Sequence, residues 1–186
     1  MHYSCLVVGT DVDAELEPFA DYFRVEPYRH FLETPELESM AKHFGLEPTN
    51  IEALVGKLKE WREQEGGVHE GRLFTWSTEN PRAHFDWYEA GGRFGTFLQL
   101  REPRIESRWF GLRRQRVTQV TRARKQDIDP GPLLAAPPAA LLHRGEWREA
   151  PMSLQEAPAP EWLREFAEAF AEIEDEAMLN AMDLHS

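Results

Sequence analysis

Cys5 is the only cysteine in 186 residues, so neither a disulfide framework nor a cysteine-based zinc cluster can be built from this chain. A reducing compartment fits, and the expected location is cytoplasmic, the host cytoplasm if a phage encodes the protein. No apolar run approaches the ~18 residues of a membrane helix. The first residues also lack the basic and then apolar regions of a secretory leader. A soluble protein with no membrane partner is therefore expected. Gly-x-Ser-x-Gly, His-Glu-x-x-His, His-x-Glu and His-x-Thr patterns are all missing, as are the spacings of a Walker loop or a dinucleotide fingerprint. His69-Glu70-Gly71 has no second histidine to complete a zinc motif. With no internal repeat, solenoid and propeller architectures are excluded. Positive charge is scarce overall, and a net charge of -12 argues against general coating of nucleic acid.

What is present has an ordinary globular balance, 41% hydrophobic and 29% charged. The length suits one domain spanning 1–186. Charge is distributed unevenly. Residues 101–125 carry nine basic side chains against Glu102 and Glu106, a balance of +7. Residues 161–183 carry eight acidic ones against Arg164, a balance of -7. Either the two segments compensate one another, or the Arg101–Lys125 segment faces an anionic partner such as nucleic acid, or it serves assembly.

Local patterns predict an α+β fold, a single mostly antiparallel sheet with helices packed on one face. His2–Val8 reads as a buried strand, Tyr22–Glu26 as a second and Arg72–Thr78 as a third. Thr34-Pro35-Glu36 opens a helix that Gly45 stops. Ile51, Leu54, Val55, Leu58 and Trp61 form the apolar stripe of another, from Asn50 to Gln64. Phe94–Arg101 alternates as a strand. Arg108–Leu112 and Gln115–Thr121 can pair as a hairpin, and Leu141–Trp147 as a tighter one turning at Arg144-Gly145. The Ala/Pro-rich run near 130–140 reads as an extended connector, and Pro151–Pro160 as loop. Glu161 to about Asp175 is an acidic amphipathic helix, and its stripe continues through Met178–His185.

The most unusual stretch is His84 to Thr96, with four aromatics, two carboxylates, an arginine and three glycines. Gly91-Gly92 permits positive φ and close approach, which would aim Arg93 beside free backbone N–H groups as an anion-binding corner. A purely steric glycine turn is the alternative. Trp87 and Tyr88 could stack a ring or fill the core. Asp86 could act as acid, base or ligand, cap a turn, or pair with Arg93. Asp127 and Asp129 follow Lys125 and could share a cation or cap the turn before Pro130. Asp183 and His185 would lie on one face if the chain's end were a strand. No cofactor is identified, and no metal is assigned.

The run Phe85-Asp86-Trp87-Tyr88-Glu89-Ala90-Gly91-Gly92-Arg93-Phe94 resembles the central Trp-Asp-Trp-Tyr-x-x-Gly-Gly-Arg-Trp motif of a set of uncharacterised small proteins from bacteriophages, prophages and some bacterial genomes. Asn80-Pro81, Leu6–Phe19, Ala123-Arg124-Lys125-Gln126-Asp127-Ile128-Asp129 and Gly145-Glu146-Trp147 are similar to further blocks of that set. Its ending, an aromatic helix followed by a strand closing on Val-Asp-x-His, is similar to residues up to Asp183 and His185 and implies a strand there, against the helical periodicity. The arginine-rich segment before Ala123 and the Ala/Pro connector depart from it. The resemblance implies an α+β sheet domain in a phage setting, without an assigned activity. From the residues themselves, the function expected in such a setting is that of an accessory protein binding a host protein or an anionic, nucleotide-like or nucleic-acid-like ligand through Asp86, Trp87, Tyr88, Gly91, Gly92, Arg93, Lys125, Asp127, Asp183 and His185. The rival is a small metal-dependent hydrolase or nucleotide-processing enzyme built on the Asp and His residues.

Overall fold

The computed structural model describes residues 1–62, 65–95, 97–108, 113–151 and 159–186. From the N-terminus come strand β1 (His2–Val8), the short helix α1 (Val12–Leu16), β2 (Tyr28–Phe31), α2 (Thr34–Phe44), α3 (Ile51–Val55) and α4 (Leu58–Arg62). Then follow β3 (Gly66–His69), β4 (Arg72–Ser77), β5 (Trp87–Ala90), β6 (Leu98–Arg108), β7 (Arg113–Val120) and β8 (Arg122–Arg124). The chain ends with α5 (Pro130–Ala135), β9 (Ala140–His143), β10 (Glu146–Glu149), α6 (Pro160–Glu172) and β11 (Met178–His185). These form two compact units, one of Met1–Phe23 with Arg82–Ser186, the other of Arg24–Pro81.

The larger unit is built on a sheet ordered β10-β9-β1-β11-β5, with β8 also paired to β11. The fold is α+β, as the patterns indicate, but the strands divide among three sheets rather than one, and the main sheet is mixed because β1 and β9 run parallel. β11 is its axis, antiparallel to β1 along the whole of both strands and to β5 and β8 on its other side. Six consecutive residues of β11, Leu179–Leu184, are buried, because both sheet faces are covered. A strand buried on both faces loses the period of two, which is why Met178–His185 imitates a helical stripe.

Alternation then sorts the core. Leu6, Val8, Leu179 and Ala181 meet Trp162, Phe166, Ala169 and Phe170 of α6, with Leu133 of α5 and the base of β6. Full burial of each large α6 side chain contributes roughly 1.5–3 kcal/mol. Cys5, Val7, Met182 and Leu184 point the other way, onto Leu16, Phe19 and Phe85. Helices therefore lie on both faces, not one: α1 contributes Leu16 opposite α6. The supposed connector is also helical over Pro130–Ala135, where Asp129 caps Gly131 N–H and Pro130 stands in the first turn. A hydrophobic side chain at 133 repays helix formation by entering the core.

β6 and β7 make a separate two-stranded ribbon, longer than the sequence suggests. Residues 109–112 of the predicted hairpin and Thr96 of the predicted strand lie outside the described residues, as do 152–158 of the predicted loop and 63–64 of the predicted helix.

In the smaller unit, antiparallel strands run in the order β2-β4-β3. Leu73 joins Leu32, Met40, Ala41, Leu54 and Leu58 in its core. α2 ends as its residues dictate, at Gly45 with φ 63°. The strand expected at Tyr22–Glu26 begins instead at Tyr28, where β2 can pair with β4.

Candidate functional site

Register builds the site. β11 pairs His185 with His2 of β1 on one side and with Trp87 of β5 on the other, so three side chains from three strands form one rung. Opposed residues in a ladder project from the same face, and the rings are in contact. Trp87 stacks on His185 with centroids 5.8 Å apart at 18°, while His2 meets Trp87 edge-on at 5.4 Å and His185 at 4.9 Å. Trp87 remains 42% exposed.

Two residues inward on the same face stands Asp183, fully buried. One carboxylate oxygen accepts from His2 Nδ1 at 3.0 Å and the other from the backbone N–H of Arg93 at 2.7 Å. A buried charge costs several kcal/mol unless it is paired and hydrogen-bonded, and here both oxygens are satisfied. The glycines make this possible. Gly91, Gly92 and Gly95 all have positive φ (74°, 42° and 60°), and a Cβ on Gly92 would lie 2.3 Å from the Asp183 side chain. The backbone N–H of Arg93, expected to be free for an outside anion, is instead taken up by the protein's own Asp183 carboxylate. The Arg93 side chain is exposed and makes no hydrogen bond or ion pair among the described residues.

At the rim, His185 Nδ1 is 2.7 Å from Asp86 Oδ1. That hydrogen bond is the main reason the Asp86 carboxyl is held below the usual carboxylate range. Each imidazole therefore has Nδ1 bound to a carboxylate, an arrangement that fixes the tautomer and leaves Nε2 for chemistry.

Other expected site residues lie elsewhere. Tyr88 alternates to the opposite face, against Phe85, with its hydroxyl donating to Asp13. Burial and that bond raise its pKa. Trp87 and Tyr88 therefore cannot form one stacking surface. Lys125 and Asp127 sit beyond β8, which pairs at the Met178 end of β11, about 24 Å along the strand from His185. Lys125 lies over the Phe170 ring and donates to the Ile173 carbonyl at the end of α6, a favourable place for a cation. Asp127 pairs with Arg104 at 3.0 Å, and Asp129 caps α5.

His2 was missed by the sequence reading, since nothing in it tells that the two ends of the chain pair in register. Among the described residues, no three His, Cys, Asp or Glu side chains are grouped so as to hold a metal ion.

No protein-family model, curated protein or solved structure matches this chain. Its function has to be argued from the His2, Asp86, Trp87, Arg93, Asp183 and His185 cluster itself.

Proposed function

We propose that the protein is an accessory factor of phage or prophage type that binds an anionic, nucleotide-like ligand, or an anionic group on a host protein, at the Trp87–His185–His2 rung. The observation that carries this reading is the Arg93 guanidinium, exposed and uncommitted among the described residues, on the same short segment whose N–H is joined through Asp183 to His2. An arginine offers bidentate donors to phosphate or carboxylate, and the exposed indole offers a stacking face. The test is a titration of the protein with AMP and with inorganic pyrophosphate, followed by tryptophan fluorescence and calorimetry. Arg93→Glu should abolish binding and leave Tm within about 1 °C, because an exposed side chain free of partners contributes little to stability. Binding that survives the charge reversal would remove the proposal.

A second reading rests on the two carboxylate-held imidazoles, with centroids 4.9 Å apart. One could take a proton while the other delivers one, as in metal-free phosphoester chemistry. Loss of phosphodiester turnover in both His2→Ala and His185→Ala, with a bell-shaped pH profile in the parent, would favour it. Absence of turnover in the parent leaves binding alone.

A further inference from the structure

Ion pairing decides what the basic segment does not do. The acidic residues Glu174, Asp175 and Glu176 pair with Arg144, Lys125 and Arg124 respectively, and Asp127 pairs with Arg104. Among the described residues, compensation therefore reaches the base of the basic segment and goes no further. Arg101, Arg114 and Arg116 are exposed, and their side chains have no hydrogen bond or ion pair among the described residues. The ribbon of residues 98–120 holds six arginines and two glutamates, a balance of +4 in a chain of net charge -12.

The ribbon's geometry gives that charge a purpose. Its base is rooted in the core by Leu98 and Leu100, and tied by a bridge from Leu100 to Ile128. From Arg101 onward, among the described residues, the two strands pair only with each other. Register sets Arg116 opposite Ile105, with Arg114 two residues further along the same face. Ile105, directly across from Arg116, is 70% exposed. Arginines also discourage strand edges from pairing with other chains, but in a strongly acidic protein glutamate would serve that end while matching the net charge. Six arginines there oppose it, which calls for a polyanion.

We infer that the β6–β7 ribbon is a contact for double-stranded nucleic acid, with Arg101, Arg114 and Arg116 meeting phosphates. The major groove, about 12 Å wide, admits a two-stranded ribbon. Repulsion by the acidic body is the main objection, and distance answers it. Arg114 stands opposite Ser107, seven residues beyond the rooted Leu100 and so roughly 24 Å along the ribbon, whereas charges are screened beyond about 10 Å at 0.1 M salt. The helices of the smaller unit are a poorer duplex reader, because Glu52 and Glu60 accompany Lys59 on their exposed positions.

The experiment is fluorescence anisotropy of a labelled random-sequence duplex with the full chain, between about 50 and 200 mM salt. Binding should weaken with a log–log slope of about -2 to -3, the value for three phosphate contacts. Arg114→Glu with Arg116→Glu should weaken it at least about tenfold and shrink the slope by about 2. The Lys pair of substitutions should stay close to the parent, and Arg93→Glu should change nothing, which separates this surface from the histidine site. If the Glu pair fails to fold, Arg114→Gln with Arg116→Gln should give the same loss. No binding at low salt, a flat salt dependence, equal binding by a folded Gln variant, or competition by poly-glutamate as strong as by duplex would each overturn the inference.

Discussion

Asp183 shows how one residue can tie together positions that are distant in sequence. Its two oxygens hold His2 and the Arg93 N–H, and charge-assisted bonds of this kind contribute about 1.5–3 kcal/mol each. Asp183→Ala leaves a buried N–H without its acceptor as well as a void, so a loss of about 3 kcal/mol is expected in urea unfolding. Asp183→Asn should cost less than half of that. Its amide oxygen can still accept from Arg93, and its amide nitrogen can donate to His2 in the other tautomer. Gly92→Ala should be at least as damaging as Asp183→Ala, since the added carbon collides with the carboxylate at a positive φ. The glycine pair, the arginine and the aspartate were each legible in the sequence as unusual. That the aspartate fills the corner was not, because 90 residues separate the two and only strand register brings them together.

At the level of elements, legibility followed local signals. The β9–β10 hairpin turns at Arg144 and Gly145, both with positive φ (54° and 72°), as a tight two-residue connection requires. α2 starts and stops where its proline and glycine stand. α5 was hidden because Pro-Gly-Pro resembles a break, although its Asp and Pro are also helix-start residues. β11 was hidden by burial on both faces. The hairpin also supports a pH prediction. It sets Trp147 on His84 in a stack of 4.3 Å at 16°, and burial there, against Phe19, lowers the His84 pKa despite Glu149. A neutral imidazole is thus favoured in the folded state. The stability it contributes is present above the unfolded value near 6.5 and is lost as pH falls through the lower folded value. Melting temperature should drop between about pH 7 and 5, and His84→Gln should flatten that drop after allowance for its lower starting point.

For the whole molecule, the division into two units sets what unfolds together. Cys5 is fully buried in the larger unit and its thiol pKa is pushed far up, chiefly by burial, so a thiol reagent reacts only when β1 opens. Leu54 lies in the separate core of the smaller unit. Leu54→Ala should cost that unit about 2–5 kcal/mol and leave the native-state labelling rate of Cys5 nearly unchanged. A parallel rise in labelling would mean that the two units unfold as one. Composition alone did not reveal the division, because residues 24–81 are no more polar or glycine-rich at their borders than elsewhere.

The order in which the chain is made adds a constraint. β1 is synthesised before the other strands described, yet its longest pairing is with β11, more than 170 residues later. Until the ribosome has passed residue 185, β1 and β5 lack the strand between them, and their apolar faces await a partner. Closing so large a loop is slow, and open strand edges in the interval invite association with other nascent chains. A folding helper that covers these edges during synthesis should therefore raise the soluble yield of this protein.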